Sequence, residues 1–246
     1  MNTIIIGTSG WHYTHWIGPF YPHNQDRKRF FEYYKNIFQT VEINNSFYRL
    51  PKKEVLRDWH NAAPEGFIFS IKASRYITHV KRLKEPVQSL KKFIEVLPYL
   101  KNSLGPVLFQ LPPRFRCNHE RLEQFLQALP RQYRYTFEFR DTSWFNDKTY
   151  ALLSDHRCAL CLYYFEEKYS PLVVTADFVY IRLHGSEDKY TGKYSPTQIR
   201  EWATRILEWH AHNKRIYCYF DNDQYGYAPQ NARELIAQVS QQLHKK

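Results

Sequence analysis

The stretch Thr40-Val41-Glu42-Ile43-Asn44 sets an acid and an amide on alternate positions, with Val41 and Ile43 between them. Side chains alternate across a strand, so one face turns polar toward its C-terminal end while the other stays apolar. The same parity recurs in Thr136-Phe137-Glu138-Phe139-Arg140, Tyr180-Ile181-Arg182-Leu183-His184 and Tyr217-Cys218-Tyr219-Phe220-Asp221. Strands that are apolar outside and polar at their inner ends predict a barrel wrapped by helices, with chemistry at the strand C-termini.

The length agrees with this. A chain of 246 residues matches the roughly 250 of one (β/α)8 TIM barrel, so residues 1–246 are read as a single domain. Strand patterns at about 3–9, 39–46, 67–74, 106–111, 134–140, 158–164, 178–184 and 215–221 alternate with helical ones at 52–63, 87–100, 119–129, 196–212 and 229–243. Such alternation is the mark of βαβ units. Leu122, Phe125, Leu126 and Leu129 make a buried helical stripe, and Ser195-Pro196 is a helix start.

Composition narrows the function classes. An aromatic content of 17%, with 20 Tyr and 6 Trp, excludes a disordered chain. The net charge of +11 attracts anions, but Lys and Arg are spread without a block of like charge. No basic n-region or long apolar run is present, so a soluble cytoplasmic protein without a membrane partner is expected. Cys158 and Cys161 form a CxxC, but three residues of spacing puts them on opposite faces of a strand. Neither a Walker loop nor GxGxxG occurs, and Gly7-Thr8-Ser9-Gly10 lacks the glycines and lysine of one.

Two connections are long. One, from Trp11 to about Asp26, holds Trp11, Tyr13, Trp16, Phe20 and Tyr21; the other, from about Arg75 to Pro86, is basic and carries His79, Lys81 and Arg82. Long loops at the C-terminal face bind ligands. His12 and His15, in the aromatic loop, read as surface residues.

Several motifs together resemble the DUF72 (YecE-like) family. They are Gly7-Thr8-Ser9-Gly10-Trp11 with Trp16, Gly18 and Phe20-Tyr21-Pro22; Thr40–Asn44 running to Phe47-Tyr48-Arg49-Leu50-Pro51; and Phe69-Ser70-Ile71-Lys72 with Ile77-Thr78-His79. Further along come Gly105–Pro113, Phe137–Arg140 with Ser143-Trp144-Phe145, Val179–Gly185 and Tyr219–Asp223. The resemblance implies a TIM barrel and carries no established reaction. The sixth strand, ending Leu162-Tyr163-Tyr164-Phe165-Glu166-Glu167, fits the family pattern least.

The inward strand-end residues are Ser9, Glu42, Asn44, Lys72, Gln110, Glu138, Arg140, Arg182, His184, Asp221 and Asp223. Buried charges must pair, hold an ion or face a wet pocket, so a plug of internal salt bridges, such as Glu138 with Arg182, is the plain alternative to a site. The first functional reading is acid–base hydrolysis by Glu42 and Glu138, with His184 and Asp221 moving protons, on a small anionic or sugar-like substrate. Trp11, Trp16, Asn44, Tyr48, Lys72, Gln110, Arg140, Trp144 and Arg182 would bind that substrate. No cofactor is expected; the alternative is a divalent metal on Glu42, Glu138, His184 and Asp221, which the interleaved cations oppose. A grip on phosphate or carboxylate by Lys72, Arg75, Arg140 and Arg182, with bases stacked on Trp11, Trp16, Tyr48 or Trp144, gives the competing reading of a non-catalytic nucleic-acid-binding protein. The sequence leaves the oligomeric state open.

Overall fold

Short runs of Ile, Val, Phe and Tyr, each closed by a polar residue, build the strands. The computed structural model describes residues 3–165, 168–186 and 191–244. In chain order the strands are β1 (Ile4–Ser9), β2 (Thr40–Ile43), β3 (Ile68–Lys72), β4 (Leu104–Gln110), β5 (Tyr135–Glu138), β6 (Ala159–Phe165), β7 (Lys168–Tyr169), β8 (Phe178–Leu183) and β9 (Arg215–Phe220). The sheet order is β5-β4-β3-β2-β1-β9-β8-β6, with β5 also paired to β6, which is a closed eight-stranded barrel. All eight expected strands are present.

The α-helices between them are α1 (Phe30–Tyr34), α2 (Lys53–Ala62), α3 (Pro86–Ile94), α4 (His119–Gln127), α5 (Asp147–Asp155), α6 (Pro196–Ala211) and α7 (Tyr227–Leu243). α6 starts where Ser195 predicts, in a capping box with Gln198. The expected helix over 87–100 ends early. Pro98 offers no N–H and disfavours α geometry in the residue before it, so α3 stops at Ile94 and a 3-10 stretch runs over Leu97–Ser103. α1 and α5 escape the periodicity reading because one is a five-residue helix and the other is mostly polar.

The departure from the regular barrel lies after β6. Among the described residues no helix joins β6 to β8; instead β7 folds back antiparallel on β6, with Tyr169 beside Tyr164. This is the corner the sequence fits least. Thr175 then ties the extended return to the start of β6, accepting from Leu160 N at 2.8 Å and donating to Cys158 O at 2.7 Å.

By internal contacts the chain forms two compact units, one of residues 1–42, 162–172 and 177–246, the other of residues 43–161 and 173–176. In the first, β1 runs parallel between β2 and β9, and α7 packs on β1 and beside α6. In the second, β3, β4 and β5 run parallel in that order, and α4 packs beside α5. The starts of α4 and α5 share a polar network: His119 Nε2 lies 3.3 Å from Cys117 Sγ and 3.1 Å from both Asn146 Oδ1 and Thr149 Oγ1.

Gly7 explains why its motif begins with glycine. A methyl group there would fall on the Thr40 carbonyl oxygen of the neighbouring strand, a backbone atom that cannot step aside. Gly7→Ala is expected to destabilise the fold by about 1–3 kcal/mol through overpacking, read from the shift in a urea unfolding midpoint.

Candidate functional site

Parity determines which side chains meet. Glu42, next to last in β2, is in register with Ser9 of β1, and Tyr180 and Arg182 share one face of β8 with His184 just beyond it. Arg182 is the hub of the first unit. It is fully buried, and its Nε lies 3.0 and 3.1 Å from the two Glu42 oxygens, while Nη2 donates to Glu42 Oε1 and to Asp221 Oδ2, each at 2.8 Å. Ser9 Oγ donates to Glu42 Oε1 at 2.7 Å and the Tyr180 hydroxyl to Oε2 at 2.6 Å. Glu42 therefore has donors on both oxygens.

A guanidinium has only donors, so His184 Nε2, 3.3 Å from Arg182 Nη1, is the acceptor. The imidazole proton then sits on Nδ1, 3.0 Å from Asp221 Oδ2, though off the line of an ideal hydrogen bond. Asp221 thus receives Arg182 and His184 on one oxygen.

Two residues on, Asp223 is held by the aromatic loop. Its carbonyl accepts from Trp16 Nε1 and from His15 Nε2, both at 2.9 Å, and its carboxylate lies 3.5 Å from that same imidazole nitrogen. Burial raises the Asp223 pKa, the neighbouring charge of Asp221 raises it further, and His15 opposes both. Tyr13, whose hydroxyl donates to Ser9 O at 2.8 Å, is raised far above the usual phenol range by burial, then by Asp221, Asp223 and Glu42. The three acids therefore act on one phenol.

The second unit holds Asn44, Tyr48, Lys72, Gln110, Glu138, Arg140 and Trp144. Glu138 pairs with Arg140, both buried, and Glu138 stands beside Gln110 in the register of β5 on β4. Cys161 Sγ lies 3.9 Å from Glu138 Oε2. The cysteines are all unbridged, and burial pushes the Cys158 thiol up to about 12, so the CxxC makes no redox pair. Lys72 is buried with Nζ 4.6 Å from the Phe47 ring centre, and Asn44 Oδ1 is a buried atom with no hydrogen-bond partner.

The tryptophans correct the sequence reading. Trp16 and Trp144 are 0% exposed and Trp11 is also buried, so none offers a face for a ligand to stack on. Trp16 packs against Tyr13 and Phe20, and Trp144 stacks on Phe139 at 4.7 Å and donates to Phe115 O at 2.6 Å. These loops have their own small cores. Tyr48, at 83% exposed, keeps an open ring.

Tyr180 and Tyr13 are the site residues the sequence reading did not select. Tyr180 carried a legible signal, since it lies two residues before Arg182 on the same face; Tyr13 carried none. The metal reading meets a physical obstacle. Among the described residues no three His, Cys, Asp or Glu side chains are grouped to hold a metal ion, and the Arg182 guanidinium fills the place between Glu42, Asp221 and His184 that a cation would take.

Removing one member of a buried ion cluster strands the others. Arg182→Met should cost about 3–5 kcal/mol, measured by chemical denaturation, because it leaves Glu42 and Asp221 facing each other without the cation. In the second unit, burial and then Lys72, Arg75 and Arg82 push the His79 pKa down to about 4. The unfolded chain takes up a proton near pH 6.5 that the folded one refuses, so stability present at neutral pH is lost as pH falls from about 6.5 to about 4. His79→Gln should flatten that part of the stability curve, followed by thermal unfolding at several pH values.

The same fold recurs in solved structures. A DUF72 family protein from Thermotoga maritima superposes with a TM-score of 0.86 at 27% identity, covering 99% of this chain and 100% of that one. A second, from Enterococcus faecalis, gives 0.80 at 18% identity over 96% of this chain and 95% of its own, which speaks to fold alone. In sequence the chain is 26% identical to the UPF0759 protein YunF of Bacillus subtilis over 95% of its own length and 93% of the relative's. It is 30% identical to the UPF0759 protein YecE of Escherichia coli K12 over 46% of its length and 42% of that protein's. The model of the family described as "Protein of unknown function DUF72" matches residues 5–246, and the chain belongs to that family.

Proposed function

We infer that this protein is a hydrolase that works by acid–base chemistry at its strand ends on an anionic or polyhydroxylated substrate. The observation that carries the reading is the contrast between Asp221 and Asp223. Asp221 accepts from Arg182 at 2.8 Å and faces His184 at 3.0 Å, partners that favour its charged form. Asp223 is half-buried beside that charge and holds its proton to higher pH. Two carboxyl groups whose surroundings drive their proton affinities apart supply the base and the acid a hydrolysis needs.

In this reading Asp221 takes a proton from the attacking water as its oxygen bonds to the substrate. Asp223 gives a proton to the departing oxygen as the old bond breaks. Glu42 has donors on both oxygens already, so its role becomes that of anchoring Arg182, with Ser9 and Tyr180 completing the anchor. His184 orients Asp221. The competing nucleic-acid-binding reading draws support from Tyr48, whose exposed ring suits a base.

A panel of nitrophenyl glycosides, esters and phosphates tests the hydrolase. A bell-shaped pH profile is expected for whichever substrate turns over. Asp221→Asn should lower kcat/KM about 10²–10⁴-fold and remove the acidic limb, and Asp223→Asn should do the same to the alkaline limb. No turnover across the panel, joined to oligonucleotide binding with a log–log salt slope of about −0.7 per phosphate contacted, would give the nucleic-acid reading the lead.

A further inference from the structure

We propose that the connection after β3 is a phosphate-binding site for a small phosphorylated molecule, built from Lys72, Arg75, His79 and Arg82. The sequence concentrates basic residues there. Between Lys72 and Pro86 the one acid is Glu85, and Lys81 engages it at 2.7 Å. Lys72 and His79 share one aromatic support, the Lys72 Nζ lying 4.6 Å from the Phe47 ring centre and the His79 ring 4.9 Å from it, edge on. Thr78 Oγ1 sits 2.9 Å from His79 Nδ1 and fixes the imidazole from its own turn. Arg75 and Arg82 are exposed, so a ligand from solvent reaches them.

The backbone holds this cluster in a costly shape. Tyr76–Val80 form one π-helical turn, closed by Lys81 N to Tyr76 O at 2.8 Å, and Leu83 N bonds back to Ile77 O at 3.1 Å. Arg82, Leu83 and Glu85 all have positive φ, at 49, 64 and 49°, although none is glycine. Left-handed backbone at side-chain-bearing residues costs energy and is kept where geometry matters. In this turn Arg82 lies with Lys72 and Arg75 in the charge field felt by His79, its guanidinium carbon 5.9 Å from the Phe115 ring centre. Gathering like charges also costs energy, and the imidazole, already disfavoured as a cation by burial, gives up its proton more readily beside them. An anion of high charge offsets the repulsion among these cations.

The ligand chemistry follows from the donors. Two arginine forks, a buried ammonium and an imidazole suit an oxyanion with several acceptor oxygens. A single compact turn fits one phosphate group, whereas a nucleic-acid backbone needs cations spaced along a track. This assignment does not depend on the hydrolase reading, because binding is measured without turnover.

The test follows the His79 ring proton by NMR during pH titration, with inorganic phosphate and with chloride at equal ionic strength. The groups facing the imidazole are Lys72 of β3, Arg75 and Arg82 of its own connection, Thr78 and the Phe47 ring. Phosphate is expected to raise the His79 pKa by about 1–3 units, as an opposing charge does, and to raise the melting temperature with phosphate concentration. Arg75→Gln with Arg82→Gln should abolish the phosphate effect; Lys91→Gln with Lys92→Gln, on α3, should leave it intact. The proposal is overturned if chloride matches phosphate, if the α3 variant loses the effect equally, or if only a thymidine oligonucleotide, and not phosphate, moves His79.

Discussion

The guanidinium of Arg182 is the constraint on which the first unit rests. Three strands, β2, β8 and β9, each end there in a side chain that carries or accepts charge, and only a cation placed among Glu42, Asp221 and His184 lets them converge. A barrel does not need this for stability. Layers of Val, Ile and Leu fill barrel interiors well, and a buried ion pair is often no more stabilising than apolar residues of the same volume. The arrangement has to be weighed as a device for fixing Asp221. It does that by using up donors and acceptors: Ser9 and Tyr180 bind Glu42, Glu42 aligns Arg182, and Arg182 with His184 meets a single oxygen of Asp221.

The aromatic loop after β1 performs the second half of that task. Its tryptophan is packed out of reach of any ligand, yet its indole N–H is spent on the Asp223 carbonyl. Tyr13, packed on the same indole ring, lies in the field of Asp221, Asp223 and Glu42 and stays a neutral donor to Ser9. A loop that is aromatic for its own core serves the site by positioning a carboxylate.

How much of this was legible in the sequence depends on the kind of signal. Period-two alternation specifies which side chains share a face, so Glu42, Arg182, His184 and Asp221 were readable as one group before any geometry was known. The same rule, carried two residues further back along β8, reaches Tyr180. Burial is different, because an aromatic residue in a loop reads alike whether it meets solvent or its neighbours. That is why Trp11, Trp16 and Trp144 read as stacking faces and are packed instead, while Tyr48 is open. Hydrogen-bond saturation is also invisible in sequence. Glu42 and Glu138 looked equivalent as strand-end acids; Glu42 carries the Ser9, Tyr180 and Arg182 donors, whereas Glu138 pairs with Arg140 and has a cysteine at its other oxygen.

In both units burial pushes ionisable groups toward neutrality, and neighbouring charges of opposite sign in the two add to it. In the first, acids outnumber the buried arginine, and the response is an aspartate and a phenol that hold their protons to higher pH. In the second, cations dominate the turn after β3, and the response is an imidazole that gives its proton up. Each shift has burial as its first cause, and the sign of the neighbouring charges adds to it, acids around the aspartate and the phenol and cations around the imidazole.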